Sequence, residues 1–229
     1  MDGLTTVVTG GTRGIGRQVA RAFAEKGANV ALCGRDTDAV DATVADIEDA
    51  GGNVVGLRTD VRDEFDVERL VETAARFGND GIDVVVANAG IYHGTPGETP
   101  LTEEAYAAFD DTVRTNCRGV FSTIRESLPH LTDTARIVVP TGGIGHKTMD
   151  GYGSYAVSKA GAEALVRGFS AEIDQPVIGL DPGVVATEMM GEDGRDPEAV
   201  AELFVWAVTE AEDVNGEIVG LKQWRQVTR

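Results

Sequence analysis

Thr9-Gly10-Gly11-Thr12-Arg13-Gly14-Ile15-Gly16 is the stretch on which the reading of this 229-residue chain turns. It follows an apolar run, Leu4 to Val8, and opens an amphipathic segment, Arg17 to Gly27. Strand, glycine turn and helix in that order suit a nucleotide phosphate. Gly10 takes the backbone angles of a tight turn, Gly14 lets the main chain approach a pyrophosphate, and Gly16 lets the helix pack close to the strand. The helix start then offers unpaired N–H groups and the positive end of its dipole to the anion. A plain surface turn also collects Gly, Thr and Arg, so the cluster takes its meaning from lying between the first strand-like and the first helix-like run. Thr12, Arg13 and Ile15 belong to the same cradle.

Outward from that stretch, strand-like and helix-like runs alternate. Asn29 to Gly34 reads as a second buried strand, Asn53 to Thr59 as a third, Ile82 to Ala87 as a fourth, Ala135 to Pro140 as a fifth, Pro176 to Leu180 as a sixth and Gly216 to Leu221 as a last. Helices are predicted over Thr37 to Ala50, from an Asp63 cap to about Phe77, from Thr102 to about Leu131, from Ser154 to Ile173 and from Asp196-Pro197 to about Ala211. Asn116, inside the third of these, is a poor helix former that competes for backbone hydrogen bonds. Short connections between alternating elements predict an α/β fold: one Rossmann-type, doubly wound parallel sheet of about seven strands with helices on both faces, the whole chain forming one domain.

Such a fold gathers its loops at the carboxyl ends of the strands. At the end of the second strand, where the adenosine ribose would sit, a carboxylate would hold a free 2′-hydroxyl and a cation a 2′-phosphate. Gly34-Arg35 therefore favours NADP(H) over NAD(H), and Arg13 reaches towards the same place; the alternative for Arg35 is a solvated turn residue paired with Asp36. Asp60, with Val61, ends the third strand near the adenine amino group. Asn88-Ala89-Gly90 gives a small, tight turn where the cofactor's ribose would pass.

The 38 acidic residues against 20 basic ones leave a net charge of −18, which argues against nucleic acid and anionic membranes as partners. Lysine occurs only at 26, 147, 159 and 222. A surface so rich in carboxylates fits adaptation to high salt, where their repulsion is screened, or an ordinary acidic cytoplasmic enzyme. With no long apolar run and no basic leader, the chain is expected to be a soluble cytoplasmic protein. Cys33 and Cys117 show no metal-ligand spacing with histidine and read as buried free thiols.

Tyr155-Ala-Val-Ser-Lys159 opens the helix after the fifth strand, and a spacing of four puts both side chains on one helix face. A phenol has a pKa of about 10, and a neighbouring ammonium lowers it, making Tyr155 a usable proton donor to a developing alkoxide. Lys159 can also hold ribose hydroxyls. The pair and the glycine loop would open onto one crevice.

With these residues in view the chain resembles the short-chain dehydrogenase/reductase family: the glycine loop, Asp60-Val61, Asn88-Ala-Gly90, Asn116, Tyr155 with Lys159, and Pro182-Gly183 with Thr187 fall in that family's order from Leu4 to about Gly220. The resemblance implies hydride transfer between a nicotinamide and a small carbonyl or alcohol, with Tyr155 as acid/base and Lys159 as its tuner and ribose ligand. It also implies that Asn116 holds a proton-relay water and Thr187 contacts the carboxamide. A homodimer or homotetramer is implied too, with the helices containing Asn116 and Tyr155 at one interface and the final helix and strand at another.

One position departs from the pattern. The family's serine, thirteen positions before its tyrosine, falls on Gly142, which has no hydroxyl; Thr141 supplies a donor if the loop shifts its register. The departure keeps open a second reading, a cofactor-binding regulator or scaffold with impaired chemistry. His93 and His146 are candidate substitute acids. Met149, Tyr152, Met189 and Met190 are the expected substrate-facing apolar residues, while Glu188, Glu192 and Asp193 would disfavour anionic substrates.

Overall fold

The computed structural model describes residues 1–78 and 81–227. In chain order these form β1 (Thr5–Val8), α1 (Gly14–Glu25), β2 (Asn29–Gly34), α2 (Thr37–Asp49), β3 (Asn53–Arg58), α3 (Glu64–Phe77) and β4 (Ile82–Val86). There follow α4 (Tyr106–Val113), a π-helical turn (Arg114–Arg118), α5 (Gly119–Ser127), β5 (Leu131–Pro140), α6 (Gly153–Glu172), β6 (Val177–Asp181), α7 (Pro197–Thr209), β7 (Ile218–Gly220) and α8 (Leu221–Val227). The strands form one seven-stranded sheet in the order β3-β2-β1-β4-β5-β6-β7, and every neighbouring pair is parallel. The order reverses between β1 and β4. At that switch point the loops following the two strands diverge, leaving a crevice beyond their carboxyl ends.

Burial on both faces explains why the strands read as continuous apolar runs. All four residues of β1 are buried. Val8 joins Leu32, Phe23 and Phe204 beneath α1, α2 and α7, while Val7 joins Cys33, Leu70, Ile124 and Val166 beneath α3, α5 and α6. Complete burial of Phe23 or Phe204 contributes about 2–3 kcal/mol each from surface removed from water. Asp36, Asp63 and Asp196 cap α2, α3 and α7 through their carboxylates.

Three sequence expectations need correction. The helix predicted from Thr102 starts at Tyr106, because Glu104 caps another helix: its carboxylate accepts a hydrogen bond from Ser154 N (2.6 Å) in the first turn of α6. That predicted helix is also broken by the π-helical turn and ends before Leu131, where β5 already begins, paired through Leu131 with Ile82 across a register shift. The last strand is shorter than predicted, since Leu221 opens α8. Leu221 and Trp224 pack on the core there, which gives most of the C-terminal tail a place; its last two residues, 228 and 229, lie outside the described residues. Cys33 is buried, and burial pushes its thiol up to about 11, but Cys117 is only half-buried, in the π-helical turn. Among the described residues no helix is long and apolar enough to cross a membrane.

Candidate active site

A cleft of about 740 Å³ opens at the β1/β4 switch point. Of the candidate cofactor and catalytic residues named from the sequence, all line it except Asn116 and the two histidines offered as substitute acids, His93 and His146. Its floor is the glycine loop. Gly10 has φ +65°, and a Cβ there would stand 2.9 Å from Ala89 Cα. Any side chain on Gly16 would run into the carbonyl oxygen of Gly10, so this glycine is needed for contact between helix start and loop rather than between helix and strand. Thr9 and Asn88 lock the loop from below. The Thr9 hydroxyl accepts from Asn88 N (3.0 Å) and Ala89 N (3.1 Å), and Asn88 Nδ2 donates to Thr9 O (2.9 Å) and Gly10 O (3.2 Å). The sequence places Thr9 at the head of the loop but does not announce this clamp, which joins residues 79 and 80 positions apart. The first turn of α1 carries no side-chain cap, so its N–H groups are left for an anion.

At the adenosine end, Asp36 is taken up as the cap of α2, accepting from Ala39 N (3.2 Å), and Arg35 is exposed and forms no ion pair among the described residues. A side chain at Gly34 would meet Thr12 Cγ2 at 2.7 Å, so position 34 itself is crowded, and the carboxylate of Asp36 two residues on is engaged in capping α2. Asp60 is bound by Arg62 through paired guanidinium contacts of 2.6–3.0 Å, which hold its carboxyl below the usual range. Arg13 pairs across the cleft with Glu188 at 3.4 Å, beside Thr187, whose methyl would touch a Cβ on Gly14.

At the other end, Lys159 Nζ lies 5.6 Å from the centre of the Tyr155 ring and donates to Pro140 O (2.8 Å). Burial dominates both groups. It pushes the Tyr155 phenol up to about 12 and the Lys159 ammonium down to about 8, the latter opposed by the nearby Cys117 and Asp181. The expected lowering of the phenol by the lysine is therefore absent, and the phenol is held in its protonated form. Tyr92, unmarked in the sequence, packs its ring 5.0 Å from that of Tyr155 and hydrogen-bonds through its hydroxyl to Gly151 O (3.1 Å).

Asn116 sits in the π-helical turn, where the local ladder is disturbed. Its side chain is buried behind the lining and bonds the backbone of Ile91, which is on the cleft wall. Oδ1 accepts from Ile91 N (2.8 Å), while Nδ2 donates to Ile91 O and to Ser158 Oγ (both 2.9 Å). It ties the loop after β4 to α6 one residue before Lys159.

Gly142 has an extended backbone, and a Cβ there would meet nothing closer than Ile144 Cγ2 at 3.9 Å. The space for a serine exists without the serine. Thr141 is buried and lines the cleft, and its Oγ1 has no hydrogen-bond partner. A buried hydroxyl costs free energy unless something pairs with it, and because Oγ1 is itself covered, a change of the Thr141 rotamer is what would turn it into the cleft. Neither histidine lines the cleft. His93 pairs with Asp111 and His146 with Glu163, both at 2.9 Å, so the suggestion that one substitutes as an acid in the cleft is not met. Met149, Tyr152, Met189 and Met190 all line it. Of the three acidic loop residues only Glu188 does, and it is paired with Arg13.

Residues 4–198 match the short-chain dehydrogenase family profile, and the chain belongs to that family of oxidoreductases. It is 32% identical to the 3beta-hydroxysteroid dehydrogenase 1 of Eggerthella lenta, across 88% of this chain and 78% of that protein. It is 30% identical to the glycine betaine reductase ATRR of Emericella nidulans, across 93% of this chain but only 18% of that much longer protein. Among solved structures, a dehydrogenase/reductase from Sinorhizobium meliloti 1021 superposes with a TM-score of 0.88 at 30% identity, covering 96% of this chain and 94% of its own. A short chain dehydrogenase from Burkholderia cenocepacia J2315 in complex with NADP does so with 0.87 at 27% identity, covering 96% of each.

Proposed function

We propose that the chain, acting as one domain, is an NADP(H)-dependent oxidoreductase that interconverts a small carbonyl compound and its secondary alcohol. The observation that carries the reading is the placement of Tyr155, Lys159 and the glycine loop on one cleft. The glycine loop and first turn of α1 would hold the pyrophosphate. Asp60 and Val61 would border the adenine, Asn88-Ala89-Gly90 and Lys159 the nicotinamide ribose, and Pro182, Gly183 and Thr187 the carboxamide. Arg35 would take the 2′-phosphate. Its exposure on the cleft with no ion pair among the described residues, and the use of Asp36 as the cap of α2, support NADP(H) over NAD(H). The NADP complex of the Burkholderia cenocepacia relative agrees with that choice.

The nicotinamide, when bound, supplies or accepts the hydride. In reduction, Tyr155 Oη gives its proton to the carbonyl oxygen as negative charge develops there, and burial keeps that proton in place beforehand. Thr141 Oγ1 donates the second hydrogen bond to the same oxygen, in place of the family's serine. Asn116 acts as a positioning residue, because its side-chain bonds to Ile91 and Ser158 leave a relay water to its backbone. Exposed Tyr106, Phe121 and Val157 on α4, α5 and α6 support a homodimer or homotetramer assembled on those helices, and the net charge of −18 supports a cytoplasm of high salt. A monomer in size-exclusion chromatography at molar KCl would remove the oligomer from this account.

The test is oxidation of NADPH, with NADH in parallel, against aldehydes, ketones and diketones at molar KCl. Turnover with an NADPH preference that falls about tenfold in Arg35→Ala is expected, since a charged contact to phosphate is worth roughly that much. NADPH binding without turnover of any carbonyl would instead favour a regulator or scaffold.

A further inference from the structure

We infer that Lys147 reads a carboxylate on the substrate, so that the carbonyl compound taken by this cleft is a 2- or 3-oxo acid with an apolar body. The inference rests on the oxidoreductase reading above and narrows it. Lys147 follows the short turn Gly143–Gly145 and folds back over it. Its N–H donates to Gly143 O (2.9 Å), and its Nζ stands 2.9 Å from where a Cβ on Gly143 would be. A glycine at 143 is what lets the ammonium lie along the cleft wall, one residue from the empty serine position at Gly142.

The charges lining the cleft separate sharply by whether they already have partners. Asp36 is bound by Ala39 N, Asp60 by Arg62, Asp181 by Gly183 N (2.9 Å) and Glu188 by Arg13. Among the cations, Arg13 is engaged by Glu188 and Lys159 by Pro140 O. Arg35 and Lys147 remain, and among the described residues neither forms an ion pair or a side-chain hydrogen bond. They sit at opposite ends of one cleft. Lys147 is exposed on the cleft at its reacting end, where none of the described carboxylates pairs with it, so an anion carried by the substrate can reach it.

The adenosine-end cation has an anion to meet in the cofactor's 2′-phosphate; the other needs one from the substrate. Because the Lys147 ammonium lies against Gly143, next in the chain to Gly142 where the family's serine would help hold the carbonyl oxygen, the substrate that fits carries its carboxylate within one or two carbons of the reacting carbon. Met149, Tyr152, Met189 and Met190 line the same end and would cover an aliphatic or aromatic remainder. The acidic loops do not oppose this, since Glu192 and Asp193 stay outside the cleft.

The test compares benzoylformate with methyl benzoylformate as NADPH-linked substrates of the wild type, Lys147→Met and Lys147→Arg, and measures benzoylformate binding to the enzyme–NADP+ complex by calorimetry. The wild type should prefer the acid in kcat/KM by about tenfold or more, as expected for a charge-assisted contact. Lys147→Met should abolish that preference and the calorimetric binding while the ester falls by far less, and Lys147→Arg should retain most of both. Equal loss on acid and ester in Lys147→Met, or no preference in the wild type, would overturn the inference while leaving the oxidoreductase reading intact. Absence of turnover with these and with neutral ketones, in protein that binds NADPH, would bring down that reading itself.

Discussion

The glycine loop after β1 and the glycine-rich loop after β5 face each other across one cleft, yet they are built in opposite ways. The first is clamped: Thr9 and Asn88 hold its backbone, and an added atom on Gly10 or Gly16 meets main chain. The second has slack: Gly142 opens onto space, and Thr141 Oγ1 and the Lys147 ammonium have no partner among the described residues. A cofactor site needs fixed donors waiting for a rigid anion, and the carboxyl ends of buried strands supply them. The substrate end instead leaves its polar groups uncommitted, so their partners have to arrive with the ligand.

The contrast can be broken most directly at the chemistry. Tyr155→Phe should lower kcat by about a thousandfold while NADPH affinity changes by about twofold or less, because only the transferred proton is removed. Comparable losses in both quantities would mean that Tyr155 holds the cleft together rather than reacting in it.

Matched glycine substitutions sharpen the comparison, since they should act with opposite sign. Gly16→Ala should cost about 1–3 kcal/mol in unfolding free energy and weaken NADPH binding by about tenfold or more, because the Gly10 carbonyl cannot withdraw without moving the loop. Gly142→Ser should fold normally and raise kcat by about tenfold, as it fits the open space and adds a donor to the carbonyl oxygen. Introduced alone, Thr141→Val should lower kcat by about tenfold to a hundredfold, and Gly142→Ser should restore it. Failure of that rescue, in steady-state assays, would place the Thr141 hydroxyl outside the reaction.

The smallest expected effect is on pH. Burial lowers Lys159 to about 8, so in the free protein its charge is present below that pH and lost above it. Ribose hydroxyls and the cofactor's negative charge favour the ammonium, so binding takes up a proton there and affinity falls as pH rises through about 8. A decline of roughly three- to tenfold between about pH 7 and about pH 9 is expected in fluorescence titrations with NADPH, and Lys159→Met should flatten it.

How far this was legible from the chain differs between the same two regions. The glycine loop, Gly34-Arg35, Asn88-Ala-Gly90 and the Tyr155/Lys159 spacing could be read because each lies at the end of a strand or in the first turns of a helix, where local pattern dictates geometry. Asn116 was visible as an irregularity in a helix, and the π-helical turn is that irregularity. What it touches was not visible, since Ile91 and Ser158 lie 25 and 42 residues away. The helix predicted from Thr102 was begun too early because nothing local announces that the carboxylate of Glu104 caps α6, 50 residues on. The electrostatics of Tyr155 were also misjudged: four-residue spacing establishes that a lysine is near, but burial decides which way the phenol shifts.

The sequence by itself determined the alternation of buried strands and amphipathic helices, hence a parallel sheet and a cleft at its switch point. Periodicity and glycine placement are local, and they act through backbone sterics and burial that any short window contains. Only the tertiary structure decided which polar groups are already paired and which are free. That separates Asp60 from Arg35, Glu188 from Lys147, and Gly142 from Thr141, because pairing depends on residues brought together from distant parts of the chain.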